Sequence, residues 1–461
     1  MFSLINLRTQ TNRAGGQARS ARTAVVLLLA SMLGACGGGG GGGGAGGAGG
    51  GEGGSAYYTV GGTVTGLTGS GLVLRNNGGE DLAVDTTGSF AFTTKVANGA
   101  AYGVTVSTEP TNPAQNCVVT DGAGTVNGGS VTTITVDCTI SVAGSFAGVD
   151  YGTSGDDASF GITPLNDAGS FTSTSTENSA GTIIPGQADT GTYAVSGANA
   201  IVLNYMNGAV SADGSTILLA DLNPGEQAYI DIEVMQGQKQ FTNADLVGGY
   251  ALVTYGNRGD SGTLWTLIAD GAGDFTGSEV HNNAGVISPG SALTGTYVLA
   301  ADGTLTVTPD GGAPLSGGVS ADGKTLVLSQ LTSRQNPSIT VGIQQAQGAQ
   351  TTAALAGTFE VATLENSADE GSLWSIDFDS KGNFSGTGTH NDNGTISSIT
   401  ISGTYAFAAD GTLALSPAGG GSLSGSLSAD GLKLVLTDLN AGDSPVIWLG
   451  ALTQPFDLWG Y

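Results

Sequence analysis

The sequence predicts an all-β protein: a small sandwich followed by three tandem antiparallel meanders, each closed as a barrel or packed as a sandwich. Three observations carry that expectation. Glycine supplies 81 of 461 residues and only 11% are charged, and Gly, Thr, Ser, Val and Asn exceed Glu, Lys and Arg as in chains of short strands and tight turns. Apolar side chains alternate with period two, for example Tyr102, Val104 and Val106 or Ile134, Val136 and Cys138, which marks strands with one buried face. Four short landmarks recur in register over the C-terminal two thirds of the chain.

Those landmarks define the repeats. GSF (Gly144), GGY (Gly248) and GTF (Gly357) open three units 104 and 109 residues apart. Inside them GSF, GDF and GNF (Gly169, Gly273, Gly382) recur at 104 and 109, GTY (Gly191, Gly295, Gly403) at 104 and 108, and SADG (Ser211, Ser320, Ser428) at 109 and 108. The organisation expected is therefore an N-terminal segment 1–35, a linker 36–56, a first module 57–141, and repeats 142–246, 247–355 and 356–461.

The N-terminal segment carries Arg8, Arg13, Arg19 and Arg22 and no acidic residue before Cys36. The apolar run Ala24–Leu33 is too short to span about 30 Å of hydrocarbon and fits the hydrophobic region of an export signal. It ends in Leu33, Gly34, Ala35 and Cys36, which resembles the lipobox of bacterial lipoproteins. That resemblance implies cleavage before Cys36, a diacylglycerol in thioether linkage to its sulfur, three acyl chains in all with palmitate among them, and stable anchoring by those chains. Gly37, where lipoproteins kept in the inner membrane carry Asp, implies the outer membrane, in its periplasmic or cell-surface leaflet.

The linker follows from its composition. Gly37–Gly54 holds fifteen Gly, two Ala and one Glu, a flexible tether with an r.m.s. span of roughly 25 Å. Without a preceding strand or a nearby Lys it is not a phosphate loop. Removing the export signal takes four of the twelve basic residues and leaves eight against thirty-eight acidic ones. A net charge of −30 excludes nucleic acid and anionic headgroups as partners, because both need clustered Lys and Arg.

In the first module, RNNGGED (Arg75–Asp81) predicts a hairpin turn, since Asn and Gly accept positive φ. Cys117 and Cys138, an even pair in an exported chain, predict a disulfide. The stretch YTVGGTVTGLTGSGLVLRNNGGEDLAV (Tyr58–Val84) resembles immunoglobulin-like or prealbumin-like modules near the N-termini of bacterial envelope lipoproteins, which implies a spacer.

Each repeat predicts about eight short strands of five to seven residues. In TGTYVLAADGTLTVT (Thr294–Thr308), Tyr297 and Leu299 share a face with Leu305 and Val307 across the turn Ala301–Thr304, and LSGGVSADGKTLVLSQL (Leu315–Leu331) forms the next hairpin. A unit of about 105 residues buries a core of its own, so three independent barrels in a row are expected. Strands this short are below the 9 to 11 residues that cross a bilayer. The third repeat, GSLWSIDFDSKGNFSGTGTHNDNG (Gly371–Gly394) and SGTYAFAADGTLAL (Ser402–Leu415), is similar to lipocalin-like repeats of bacterial lipoproteins. The first repeat departs from it, with Phe160 in place of Trp265 and Trp374 and no ADGT turn. A six-bladed propeller with two blades per unit is the competing architecture.

Little here carries chemistry. His281 and His390 occupy one repeat position, where the first repeat has Glu177, and read as polar turn residues or as one ligand contact per repeat. There is no HExxH, no GxSxG and no thiol left for a nucleophile beyond the disulfide and Cys36. Asp270 and Asp274 (DGAGD) and Asp377 and Asp379 (DFDSKGN) place oxygens around glycines as calcium loops do, but miss the twelve-residue spacing and read first as turn residues. Trp265 and Trp374 read as plugs of a barrel end, or as the floor of a ligand cavity. No cofactor, metal or catalytic residue is assigned. The function expected is non-catalytic binding or adhesion by a lipid-anchored envelope protein, with glycan or protein as partner. A lipocalin-like carrier of small apolar ligands is the alternative, and a propeller hydrolase the more remote one.

Overall fold

The computed structural model describes residues 56–455, except 154–155, 238, 257–260, 347 and 366–369. The export segment, Cys36, the glycine tether and the C-terminal FDLWGY lie outside the described residues. Strands are numbered along the chain. The first module contains β1 (Tyr57–Tyr58), β2 (Val60–Thr65), β3 (Leu72–Asn76), β4 (Glu80–Val84), β5 (Gly88–Ala91), β6 (Val96–Ala97), β7 (Ala101–Thr108), β8 (Gln115–Thr120), β9 (Ala123–Thr125) and β10 (Val131–Ile140). Two four-stranded sheets, ordered β5-β2-β10-β8 and β4-β3-β7-β9, share one core. That core takes Val60, Phe90, Ile134 and Val136 from the first sheet and Leu72, Leu74 and Val104 from the second.

Local chemistry places these strands. The β3–β4 hairpin turns at Asn77 and Gly78, both at positive φ (50° and 68°), the conformation that Asn and Gly adopt most cheaply. Cys117 and Cys138 face each other across β8 and β10 and are joined by a disulfide.

Three closed eight-stranded barrels follow, so the propeller is not formed. Barrel 1 is β11 (Gly144–Gly152), β12 (Asp157–Leu165), β13 (Ser170–Ser179), β14 (Thr182–Val195), β15 (Ala200–Leu203), β16 (Met206–Val210), β17 (Thr216–Ala220) and β18 (Tyr229–Met235). Barrel 2 is β19 (Val247–Gly256), β20 (Ser261–Asp270), β21 (Asp274–Asn283), β22 (Val286–Leu299), β23 (Thr304–Pro309), β24 (Leu315–Val319), β25 (Thr325–Ser329) and β26 (Ile339–Gln344). Barrel 3 is β27 (Gly357–Glu365), β28 (Glu370–Phe378), β29 (Asn383–Asp392), β30 (Thr395–Phe407), β31 (Leu413–Pro417), β32 (Leu423–Leu427), β33 (Lys433–Asp438) and β34 (Val446–Pro455). Each is a meander in which the first strand closes on the last.

Only the later strands of each barrel have the short lengths expected. The first four in barrel 1 run for 9 to 14 residues, because glycines such as Gly161 sit inside the ladder instead of ending it. Gly161 and Gly277 are paired in register. A Cβ at Gly277 would lie 1.9 Å from the Thr266 carbonyl oxygen, so the glycine lets neighbouring strands approach.

The barrels are not independent beads. In β11, Phe146 enters the barrel core while Ala147, Val149 and Tyr151 point out into a second core shared by all three barrels. Ile230 and Ile232, Ala251 and Val253, Val327 and Val341, and Leu364, Val435 and Leu449 complete it. Tyr151 and Tyr255 meet there edge to face, with ring centroids 5.4 Å apart.

Hydrogen bonds close the set in a ring. Asn178 Nδ2 donates to the carbonyl oxygens of Gln330 and Gln335 in barrel 2 (2.6 and 3.3 Å). Asn282 Nδ2 donates to Asp438 and Asp443 in barrel 3 (3.0 and 3.1 Å), and Asn391 Nδ2 to Asp221 and Glu226 in barrel 1 (3.1 and 3.2 Å). Each Asn also accepts, through Oδ1, the N–H of the glycine three residues on, Gly181, Gly285 or Gly394. All three asparagines are fully buried.

The SADG turns make a second ring. The N–H groups of Ala212, Ala321 and Ala429 donate to the carbonyl oxygens of Leu452, Met235 and Gln344, each in another barrel (2.7, 2.8 and 2.9 Å). Within each turn the serine hydroxyl accepts the N–H of Thr216, Thr325 or Lys433 and donates to Asp213, Asp322 or Asp430.

A buried carbonyl stripped of its donor costs about 1–3 kcal/mol. Asn282→Ala strips two carbonyls and the Gly285 N–H, so a loss of about 3 kcal/mol is expected in denaturant unfolding. The shared core predicts one cooperative transition for the three barrels; three separable transitions would contradict it.

Candidate functional site

The barrel interiors differ most where the first strand meets the last. In barrel 2 the inward pairs across that seam are Leu252 with Gly342 and Thr254 with Thr340; in barrel 3 they are Val361 with Gly450 and Thr363 with Trp448. A Cβ on Gly342 would lie 2.7 Å from Leu252 Cγ, so the glycine makes room for the larger side chain opposite. Barrel 1 inverts this arrangement, pairing Gly148 with Glu233 and Asp150 with Asp231.

The tryptophans lie at the same level. Trp265 pairs with Leu252 and Trp374 with Val361, whereas Gly148 pairs with Gly161. The barrel 1 equivalent of the tryptophans is thus Gly161. Phe160, expected in that role, is one residue off and faces the shared core. Trp265 and Trp374 are buried with their apolar clusters, and Trp374 stacks on Trp448 at 6.2 Å. Both indole Nε1 atoms, and the fully buried Thr363 Oγ1, have no hydrogen-bond partner.

His281 and His390 are not turn residues: they lie within β21 and β29. The His281 Nδ1 is 2.9 Å from Thr263 Oγ1 and its Nε2 3.2 Å from Glu279 Oε1. The His390 Nδ1 is 2.9 Å from Ser372 Oγ. In barrel 1 Glu177 takes the same register position opposite Ser159, whose hydroxyl donates to Asp150. Near His390, burial and then the charge of Glu370 push the Glu365 carboxyl above its usual range.

Barrel 1 is where the charges collect. Residues 144–235 contain eleven Asp and Glu and no Lys, Arg or His. Glu233 is 5% and Asp231 9% exposed. Glu233 Oε1 accepts from Thr163 Oγ1 (2.8 Å), while its buried Oε2 has no partner. Burial, and then the charge of Asp150, push the Glu233 carboxyl up to about 8. Burial, Glu233 and Asp150 together raise Asp231 well above the carboxylate range. No motif in the sequence singles out these carboxylates; their signal is an acidic barrel with no internal base.

Of the calcium candidates Asp270 and Asp379 are occupied as turn caps, while Asp274 and Asp377 are strand residues of β21 and β28. Asp270 Oδ1 accepts the N–H groups of Ala272, Gly273 and Asp274, and Asp379 Oδ1 those of Lys381 and Asn383. Those bonds hold both carboxyls below their usual range, led for Asp379 by the Asn383 side chain. Asp377 accepts from Thr358 Oγ1. Among the described residues no three His, Cys, Asp or Glu side chains are arranged to hold a metal ion.

Outside the barrels, an open groove of about 480 Å³ runs over β28–β30, lined by Ser375, Asp377, Ser385, Thr387, Thr400 and Ser402. Beside it, burial raises the Glu360 carboxyl, with the charge of Asp377 adding to the effect. The corresponding face of barrel 2 carries Thr266, bonded to Ser278, and the exposed Ile268.

No family model matches the sequence, and no curated protein matches it. Among solved structures the chain has a likeness to a point mutant of transferrin binding protein B, a vaccine antigen of Haemophilus parasuis. The two are 12% identical with a TM-score of 0.22, and the match covers 65% of this chain and 66% of that one. At that score the architecture rests on the strand pairing described above, not on the likeness.

The plug role of Trp374 has a direct test. Trp374→Ala leaves a large cavity and is expected to cost about 3–5 kcal/mol. Trp374→Phe, which sacrifices no hydrogen bond, is expected to cost less than about 1.5 kcal/mol. Denaturant unfolding of both variants separates the two effects.

Proposed function

We propose that this chain is a lipid-anchored lipoprotein of a bacterial outer membrane whose three-barrel body binds a partner through its outer faces without catalysis. The observation that carries this reading is where space lies: barrels 2 and 3 are filled by their own tryptophans and apolar side chains, while an open concavity of about 480 Å³ lies outside, on β28–β30. Its hydroxyls and carboxylate suit a hydrogen-bonding partner, such as a glycan or a polar protein surface. The lipobox Leu33–Cys36 and the glycine tether support the anchored address, and the immunoglobulin-like first module fits a spacer.

A carrier role is the second reading, favoured by the unpartnered Nε1 atoms of Trp265 and Trp374 and by Thr363 Oγ1. A small ligand with acceptor atoms would satisfy them. Native mass spectrometry of the full mature chain distinguishes the readings: surface binding predicts the mass of the lipidated polypeptide alone, and a stoichiometric co-purifying small molecule would favour the carrier. Cys36→Ala is expected to move the protein from the membrane to the soluble periplasmic fraction; unchanged membrane retention would refute the anchor.

A further inference from the structure

Beyond the groove of barrel 3, the outer faces of all three barrels repeat one chemical pattern. On the third strand of each barrel the outward positions hold Thr172 and Thr174, Thr276 and Ser278, and Ser385 and Thr387. On the fourth strand they hold Thr190 and Thr192, Thr294 and Thr296, and Ser402 and Thr404. All twelve side chains are exposed. The ladders bring them into register, with Thr172 opposite Thr190, Thr276 opposite Thr294 and Ser385 opposite Ser402. Every barrel therefore presents a staggered quartet of hydroxyls, spaced about 4.8 Å between strands and about 6.8 Å along each.

The shared core is built chiefly on the first, seventh and eighth strands of each barrel, which leaves the third and fourth facing solvent. The second strand, which flanks the quartet, differs from barrel to barrel: Ile162 and Pro164, Thr266 and Ile268, Ser375 and Asp377. What the three faces share is the quartet, and in barrel 3 the flank extends it into the groove of about 480 Å³. Thr294 Oγ1 donates to Asp310 Oδ2 (2.6 Å), and Ser278 Oγ lies 2.7 Å from Thr266 Oγ1. Both oxygens keep acceptor capacity, since a hydroxyl donates one hydrogen bond and accepts two. Rows of such groups match a ligand that is itself a row of hydroxyls. Charge narrows the ligand further. The groove carries the carboxylate of Asp377 with Glu360 beside it, and the chain beyond the export segment has thirty-eight acidic residues against eight basic ones. An anionic polymer is repelled by that field, and an uncharged one is not.

We propose, on the outer-face reading given above, that the third and fourth strands of each barrel form a subsite for an uncharged polysaccharide, with the barrel 3 groove the strongest of the three. The polymer lies against the hydroxyl rows and exchanges hydrogen bonds with them directly or through bridging water. Three weak contacts on one repeating chain reinforce each other through effective concentration, so the affinity is for the polymer and not for its monomer. No phosphate, sulfate or carboxylate is neutralised, so no counterions are released and binding is insensitive to salt.

The test is affinity electrophoresis and biolayer interferometry of the whole chain beyond the export segment, kept soluble by Cys36→Ala. Dextran, laminarin and amylose serve as uncharged probes and alginate as an anionic one. At least one uncharged polymer is expected to bind, with less than about a twofold change in Kd between roughly 50 and 500 mM NaCl, and alginate is expected not to bind. The combined change Ser385→Ala, Thr387→Ala and Ser402→Ala should weaken binding by about tenfold. Its barrel 1 counterpart, Thr172→Ala, Thr174→Ala and Thr190→Ala, should weaken it less, and thermal unfolding of both should match the parent because all six positions are exposed. Binding to none of the uncharged polymers, tighter binding to alginate, or an unchanged Kd in both triple variants would overturn the proposal. Capture by bacterial cells that survives periodate oxidation of their surface sugars, yet is lost in the barrel 3 variant, would overturn the polysaccharide and keep the outer-face reading. A small molecule held inside a barrel, with neither triple variant affecting capture, would remove both.

Discussion

The arrangement depends on one constraint: the seventh strand of each barrel is buried on both faces. β17, β25 and β33 are buried at every position, so one side of each strand fills its own barrel and the other must find cover outside. Three such faces meeting around a common core give each the cover it lacks, since apolar area removed from water is the main favourable term in folding. The asparagine ring and the SADG ring then satisfy the backbone groups of the joining loops, which burial would otherwise leave costly. A meander that could have closed alone is thereby tied to two others.

Rigidity changes the logic of repetition. Independent modules on flexible linkers would gain only from effective concentration. Barrels locked in a ring present their outer faces at fixed positions relative to one another, so a partner that spans two of them meets a preset geometry. The faces are not copies: barrel 3 carries the hydroxyl-lined groove, while the equivalent strands of barrel 2 expose Ile268.

The interiors have diverged as well, and their shared register makes each barrel a control for the others. A tryptophan and an aliphatic side chain fill the seam level of barrels 2 and 3, where barrel 1 has Gly161, Gly148 and Glu233. The glycines give Glu233 its room: a Cβ on Gly148 would fall 2.5 Å from the Glu233 carboxyl carbon. One backbone plan thus carries apolar packing in two barrels and the buried carboxyls of Asp231 and Glu233 in the third.

Much of this was legible in the chain itself. Alternation, turn residues and four landmarks in register determined the all-β class, the three meanders and the pairing of Tyr297 and Leu299 with Val307 and Leu305, because those are local consequences of period two and positive φ. Strand lengths are not legible where glycine lies inside a ladder, since local composition does not distinguish a turn glycine from one that lets two strands approach. His281, His390 and the tryptophans could be found by repetition, but not the direction in which they point, and an error of one residue at Phe160 reversed the face. Only the tertiary structure decided that Asn178, Asn282 and Asn391 hold the barrels together, although each stood in a visible repeat position. Only it decided, too, that Asp150, Asp231 and Glu233 converge, because a closing seam joins the first and last strands of a barrel and such distant contacts leave no mark on neighbouring residues.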